Sequence, residues 1–195
     1  MNTTCPACEA RVDCCSLACP KLHASLLGLA RVSIPYRLQS QLQPEDLVQA
    51  TLARACPAFE QLRRRTRAGL FAWLRTILRN VLRDELSRLG RMDKVVVSLE
   101  AIADRSDALV QIVTQRELPT PSSNLRGEER NMALMSAIGK LKKEHATAIQ
   151  LRYFESMPLA EIATATGTTS KAVAMRVKRG VERLAVLLQG RDDLL

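Results

Sequence analysis

The sequence predicts an all-α protein made of two small helical units joined by a flexible linker. Three observations carry that reading. Apolar residues fill 47% of the 195 positions but aromatics only 3%, so a core must be built from Leu, Val, Ile, Ala and Met, a composition that favours helices over sheets. The apolar residues recur at three- and four-residue intervals, the helical period. Proline and glycine interrupt the pattern, and between Gly90 and Pro121 it weakens altogether, as a linker does.

The first twenty residues hold Cys5, Cys8, Cys14, Cys15 and Cys19 without clear periodicity. Leu22, Leu26, Leu27, Leu29 and Ala30 then form a helical stripe, which Pro35 ends. Pro44 suits a first helical position, and Glu45 and Asp46 follow where the helix dipole favours acids, so a helix is expected from Pro44 to about Ala55. Its apolar side holds Leu47, Val48, Thr51, Leu52 and Ala55, leaving Glu45, Asp46, Gln49 and Arg54 on the other.

After the basic stretch Arg63 to Arg67, a longer helix is expected from Leu70 to about Leu89. Leu70, Trp73, Leu74, Ile77, Val81 and Leu82 mark its apolar face, and Arg75, Arg79 and Arg83 form a positive stripe at four-residue spacing. Beyond Gly90, Val95 to Val97 has an extended pattern and Leu99 to Ile112 that of a loose helix, before the break at Pro119 and Pro121. Ser122 or Ser123 can cap a further helix, which Gly139 ends, and another runs from Lys143 to Phe154. The expected division is a Cys-rich segment over 1–20, a helical bundle over 21–91, a linker over 92–121 and a second helical domain over 122–190.

The last stretch carries the most specific signal. PLAEIATATG, TT and SKAVAMRVKRGVERLAVLL give a short acidic helix, a glycine turn and a basic amphipathic helix, the order of a helix-turn-helix. Ala163 is small where the helices approach, Gly167 permits the turn, and Ser170 can cap the second helix. Val173, Val177, Val181 and Leu184 point to the core at helical spacing, which leaves Lys171, Ala172, Met175, Arg176, Lys178 and Arg179 facing outward. Such a helix in the major groove meets base edges and phosphates.

The charge agrees: 29 Lys and Arg against 20 Asp and Glu leave +9, which suits a polyanionic partner. No apolar run approaches the roughly 18 residues of a membrane span, and no basic segment followed by an apolar one opens the chain. A cytoplasmic protein with no membrane partner is expected. The sequence holds no phosphate-cradling glycine loop, metalloprotease pair or nucleophile elbow. Neither catalysis nor a cofactor is expected. Cys5, Cys8, Cys14, Cys15 and Cys19 have enough sulfur for a zinc or redox site, but their spacing beyond Cys5 and Cys8 is irregular, so no metal is assigned. His23 and His145 lack ligand partners at metal spacing.

The run LKKEHATAIQLRYFESMPLAEIATATGTTSKAVAMRVKRGVERLAVLL resembles the promoter-reading domain of bacterial sigma factors of the extracytoplasmic-function group. Leu141, Leu151, Arg152, Tyr153, Glu161, Ile162, Ala163, Gly167, Val173, Arg176 and Arg179 carry the likeness. Upstream, PEDLVQATLARACPAF resembles the family's helix that docks on the polymerase clamp, and FAWLRTILRNVLRDELSR its promoter-melting segment. The stretch IPYRLQSQLQPEDLVQ resembles a planctomycete-like variant.

This resemblance implies a sigma factor that binds core RNA polymerase and directs it to double-stranded promoter DNA, with an anti-sigma factor as a candidate regulator. Glu45, Asp46, Gln49 and Arg54 would face the clamp, and Arg75, Arg79, Asn80 and Arg83 the minus-ten element. Ser170, Lys171, Ala172, Met175, Arg176, Lys178 and Arg179 would read the minus-thirty-five element, with Arg152 on a phosphate. Ala50 departs from the acid usual in the docking helix, and Ala172, Ala174 and Met175 from the polar residues usual in the recognition helix. The alternative is a free-standing helix-turn-helix regulator, with the cysteines as a zinc or redox sensor.

Overall fold

The computed structural model describes residues 19–61, 66–90, 99–114 and 124–189. Cys5, Cys8, Cys14 and Cys15, Arg63 to Arg65, Val95 to Val97, Pro119, Pro121, Ser122 and Ser123 lie outside the described residues. Every regular element among those described is helical, and none of these helices is long and apolar enough to cross a membrane.

Helix α1 (Pro20–Ser33) stops where Ile34 turns extended ahead of Pro35. A single 3-10 turn, Tyr36–Leu38, leads to α2 (Pro44–Ala55), with Pro44 at its start and Glu45 and Asp46 in its first turn. Helix α3 (Arg67–Arg88) begins three residues before Leu70 because the Thr66 hydroxyl accepts from the Gly69 N–H at 3.1 Å and caps it. Its buried face is Leu70, Phe71, Leu74, Leu78, Val81 and Leu82, whereas Trp73 and Ile77 are half-buried against the same core.

The stretch whose weak periodicity reads as linker contains a helix, α4 (Leu99–Thr114). Ile102, Leu109, Val110 and Val113 are buried, and α4 packs on α5 (Asn124–Gly139) and on α8 (Ser170–Gln189). Ile102, Ser106, Leu109 and Val113 are buried at steps of four, three and four residues, the helical period.

Helix α5 lies along α1. A Cβ on Gly28 would overlap the Met135 carbonyl, and one on Gly139 would overlap the Ala24 carbonyl, so the two backbones touch where side chains are missing. Gly139 does end α5, as expected, but its fit against α1 is what requires glycine there. One core joins the halves: Leu26 and Leu29 of α1, Leu74 and Leu78 of α3, Leu109 of α4, Leu134 and Met135 of α5 and Leu184 of α8.

The helix expected from Lys143 to Phe154 divides. Helix α6 (Lys143–Ile149) widens into a π-turn over Gln150–Phe154, closed by Glu155 N–H to Gln150 O and Met157 N–H to Leu151 O. Ser156 takes the left-handed conformation that glycine usually fills after a helix, with φ of 56°. α7 (Leu159–Thr166) and α8 follow.

Candidate nucleic-acid interface

Two features set the angle between α7 and α8. Gly167, with φ of 63°, ends α7 while the Thr168 N–H donates to Ala163 O at 2.9 Å, the bond pattern of a glycine-stopped helix. Thr169 then caps α8, its hydroxyl accepting from the Ala172 N–H at 3.2 Å. The cap is therefore Thr169 and not Ser170: Ser170 is already the first helical residue, one position too late for its hydroxyl to serve the free amides. Under the turn, Leu151, Ile162, Ala163 and Val173 form a small buried cluster, with Tyr36, Met157, Leu159 and Val177 half-buried against it.

The outer face of α8 is open. Ser170, Lys171, Met175, Lys178 and Arg179 are exposed, and Ala172 is half-buried. Arg176 is half-buried, with its guanidinium 3.8 Å from Glu144 on α6, and Lys178 stands 4.0 Å from Glu182 one turn on. Exposed pairs of this kind contribute little and yield to a phosphate. Arg152, on the π-turn, is exposed and donates to Met157 O at 3.2 Å.

The positive stripe of α3 is different. Arg75 donates to Glu128 of α5 at 2.6 Å, with side chains 20% and 24% exposed. Arg79 is half-buried with its Nε enclosed, while Asn80 and Arg83 are exposed. On α2, Glu45, Asp46, Gln49 and Arg54 all face out. Glu45 lies 3.6 Å from Arg31, and Arg54 donates to Asp84 of α3 at 2.7 Å.

No group of three or more His, Cys, Asp and Glu side chains among the described residues could hold a metal. Cys19 is half-buried against the core just before α1, His23 is exposed and His145 half-buried. Sequence reasoning missed Tyr36, Glu128 and Gln150, each of which contacts the other half of the chain. Nothing local marks a partner 53 to 119 residues away, although the isolated glycines in apolar helical runs, Gly28 and Gly139, fit a close packing contact.

Residues 22–92 match the family described as Sigma-70 region 2, and residues 131–184 match Sigma-70, region 4. The chain is also similar to proteins called ECF RNA polymerase sigma factor SigL from the Erdman, CDC 1551 and H37Rv strains of Mycobacterium tuberculosis. In each case 33% of 147 residues are identical, covering 75% of this chain and 75% of the relative.

Proposed function

The chain belongs to the extracytoplasmic-function sigma factors of RNA polymerase, and from that premise we propose how its residues divide the work. As a sigma factor it directs RNA polymerase to promoters. The outer face of α8 reads the minus-thirty-five element. Lys171, Lys178 and Arg179 donate to guanine edges or phosphates, Ala172 and Met175 offer apolar contact to a thymine methyl, and Arg152 and Ser170 reach phosphate. Arg176 contributes once it leaves Glu144.

Arg75, Arg79, Asn80 and Arg83 on α3 serve the minus-ten element, and Glu45, Asp46, Gln49 and Arg54 on α2 dock on the polymerase clamp. Residues 21–91 and 122–190 act as the two functional domains. The protein works in the cytoplasm, with no catalysis and no cofactor of its own, and an anti-sigma factor is a fitting regulator. The observation that carries this reading is an unobstructed basic face on a capped, glycine-turned helix, in a chain whose other half presents a separate exposed acidic helix face.

Each DNA contact alone is weak, and polymerase makes the second one intramolecular by holding both modules at promoter spacing. Run-off transcription with purified core polymerase on genomic fragments tests this. Adding the protein should start new transcripts at discrete sites, whereas specific DNA binding without polymerase and without new initiation would favour a free-standing regulator.

A further inference from the structure

Three cations left out of the division of labour above meet at one cavity of about 440 Å³. Arg31 comes from the last turn of α1, Arg37 from the 3-10 turn after it and Lys143 from the start of α6. Glu45 is the only acid among the described residues that line it, so the lining carries an excess of two positive charges. The volume falls within the roughly 300–1,000 Å³ of small-molecule sites. Most such sites are apolar with a few placed polar groups; this one is rich in charge and amides, which selects for a charged guest.

Hydrogen bonds hold the walls in place. Gln39 Nε2 donates to Gln150 Oε1 at 2.7 Å, and Gln150, only 2% exposed, donates to Ile34 O at 2.8 Å and to Glu155 Oε1 at 2.9 Å. Gln43 Nε2 donates to Gln39 O at 2.9 Å. A network satisfied in this way is rigid, so the cavity is formed before any guest arrives. Arg31 donates to Gly139 O at 3.3 Å and stands 3.6 Å from Glu45, with 18% of its side chain exposed. Arg37 and Lys143 are exposed at the mouth. Like charges converging on a recess focus a positive potential there and raise the local concentration of anions. Salt screens the two exposed cations, but it screens the largely covered Arg31 much less.

We propose that this cavity is a binding site for a nucleoside di- or triphosphate, with Arg31, Arg37 and Lys143 on the phosphates and Tyr36 against the base. A guanidinium presents paired N–H donors that match phosphate oxygens, and an ammonium adds a point charge. Tyr36 is half-buried and is the only aromatic residue among the described ones that line the cavity. Bases of every kind stack on an aromatic face. In duplex DNA both faces of a base are already stacked, so Tyr36 favours a free nucleotide over the promoter. Glu45 opposes the phosphates, by its own charge and by engaging Arg31.

Calorimetric titration of the full chain with ADP, ATP and inorganic pyrophosphate tests this, at about 150 mM salt to screen loose surface attraction. ADP and ATP should each fill one site per chain. Pyrophosphate should bind at least about fivefold more weakly, because it leaves Tyr36 unused. Arg37→Ala and Lys143→Ala should each weaken ADP binding by about tenfold. Both positions are exposed, so neither substitution disturbs the core. Glu45→Gln should tighten ADP binding several-fold, a change that no loss of folding can imitate. Arg179→Ala, on the outer face of α8, should leave ADP binding unchanged. Three results would each overturn the site: no binding at millimolar ADP, pyrophosphate as tight as ADP, or an equal loss in Arg179→Ala. The last would reduce the binding to general attraction toward a chain of charge +9.

Discussion

The two surfaces proposed to face DNA are built from similar residues at similar spacing, yet one is open and the other partly covered. On α8, Lys171, Met175, Lys178 and Arg179 face solvent. On α3, Arg75 is engaged by Glu128 and Arg79 is half-buried, and only Asn80 and Arg83 are exposed. Helical geometry explains the gradient. Four residues turn an α-helix through about 40° more than a full circle, so a stripe of every fourth residue winds steadily around α3. Arg75 lies under α5, and Arg83, two steps later, has emerged from it. Spacing says which side chains share a face; what covers that face is decided by the rest of the chain.

The largest expected effect tests whether the cover is part of one cooperative core. Leu134 is fully buried in α5, among residues drawn from both halves. Leu134→Ala should cost about 2–5 kcal/mol. Trp73, the only tryptophan, reports on α3 by fluorescence, while circular dichroism reports on all helices. In urea the two probes should give coincident transitions that shift together. A fluorescence transition left in place while the circular dichroism transition splits would show that the halves unfold separately, and α3 would then not depend on α5.

Much of this arrangement is legible in the sequence, for local reasons. Pro44 with two acids behind it fixes the start of α2, and Gly167 fixes the turn of the helix pair, because each choice is dictated by backbone constraints a few residues wide. The threonine caps at 66 and 169 follow the same rule, yet the sequence reading starts α3 at Leu70 and gives the cap of α8 to Ser170, so both were missed. Helix α4 is legible as the loose helical pattern from Leu99 to Ile112 within an expected linker, whereas the π-turn that divides the helix expected from Lys143 to Phe154 was not readable. As for the candidate site, sequence periodicity yields the outer face of α8 but leaves unseen the pairing of Arg75 with Glu128 across 53 residues.

An intermediate effect sharpens the contrast between the surfaces. Arg179→Ala should weaken binding of the free protein to a minus-thirty-five duplex by about tenfold and, if the contact is to phosphate, reduce the salt slope by about 1. Arg75→Ala should leave that binding unchanged and lower promoter opening only in the presence of polymerase, because its partner in the free protein is Glu128. Fluorescence anisotropy with labelled duplex measures the first, and permanganate reactivity of promoter thymines the second. Equal losses for both variants in the free protein would erase the distinction between an open and a covered surface.

The smallest effect concerns how α4 is held against α5. Burial pushes the Asp107 carboxyl above its ordinary range, the nearby Arg130 guanidinium opposes that shift and Asp104 adds to it. Arg130 is itself buried, with its Nε unpartnered. An acid whose pKa is raised by folding binds its proton more tightly in the native state. Its stabilising contribution is complete below the ordinary carboxylate pKa and is lost as pH rises through the raised native value. Wild-type stability should therefore decline through the mildly acidic window just above the ordinary carboxylate value. Asp107→Asn keeps the shape and removes the titration, so urea midpoints for that variant should be flatter across the window and no lower than wild type at neutral pH. A variant clearly less stable at neutral pH would mean that attraction to Arg130 outweighs burial. Helix α4 would then be fastened to α5 by charge, making the cover over α3 sensitive to salt as well as to packing.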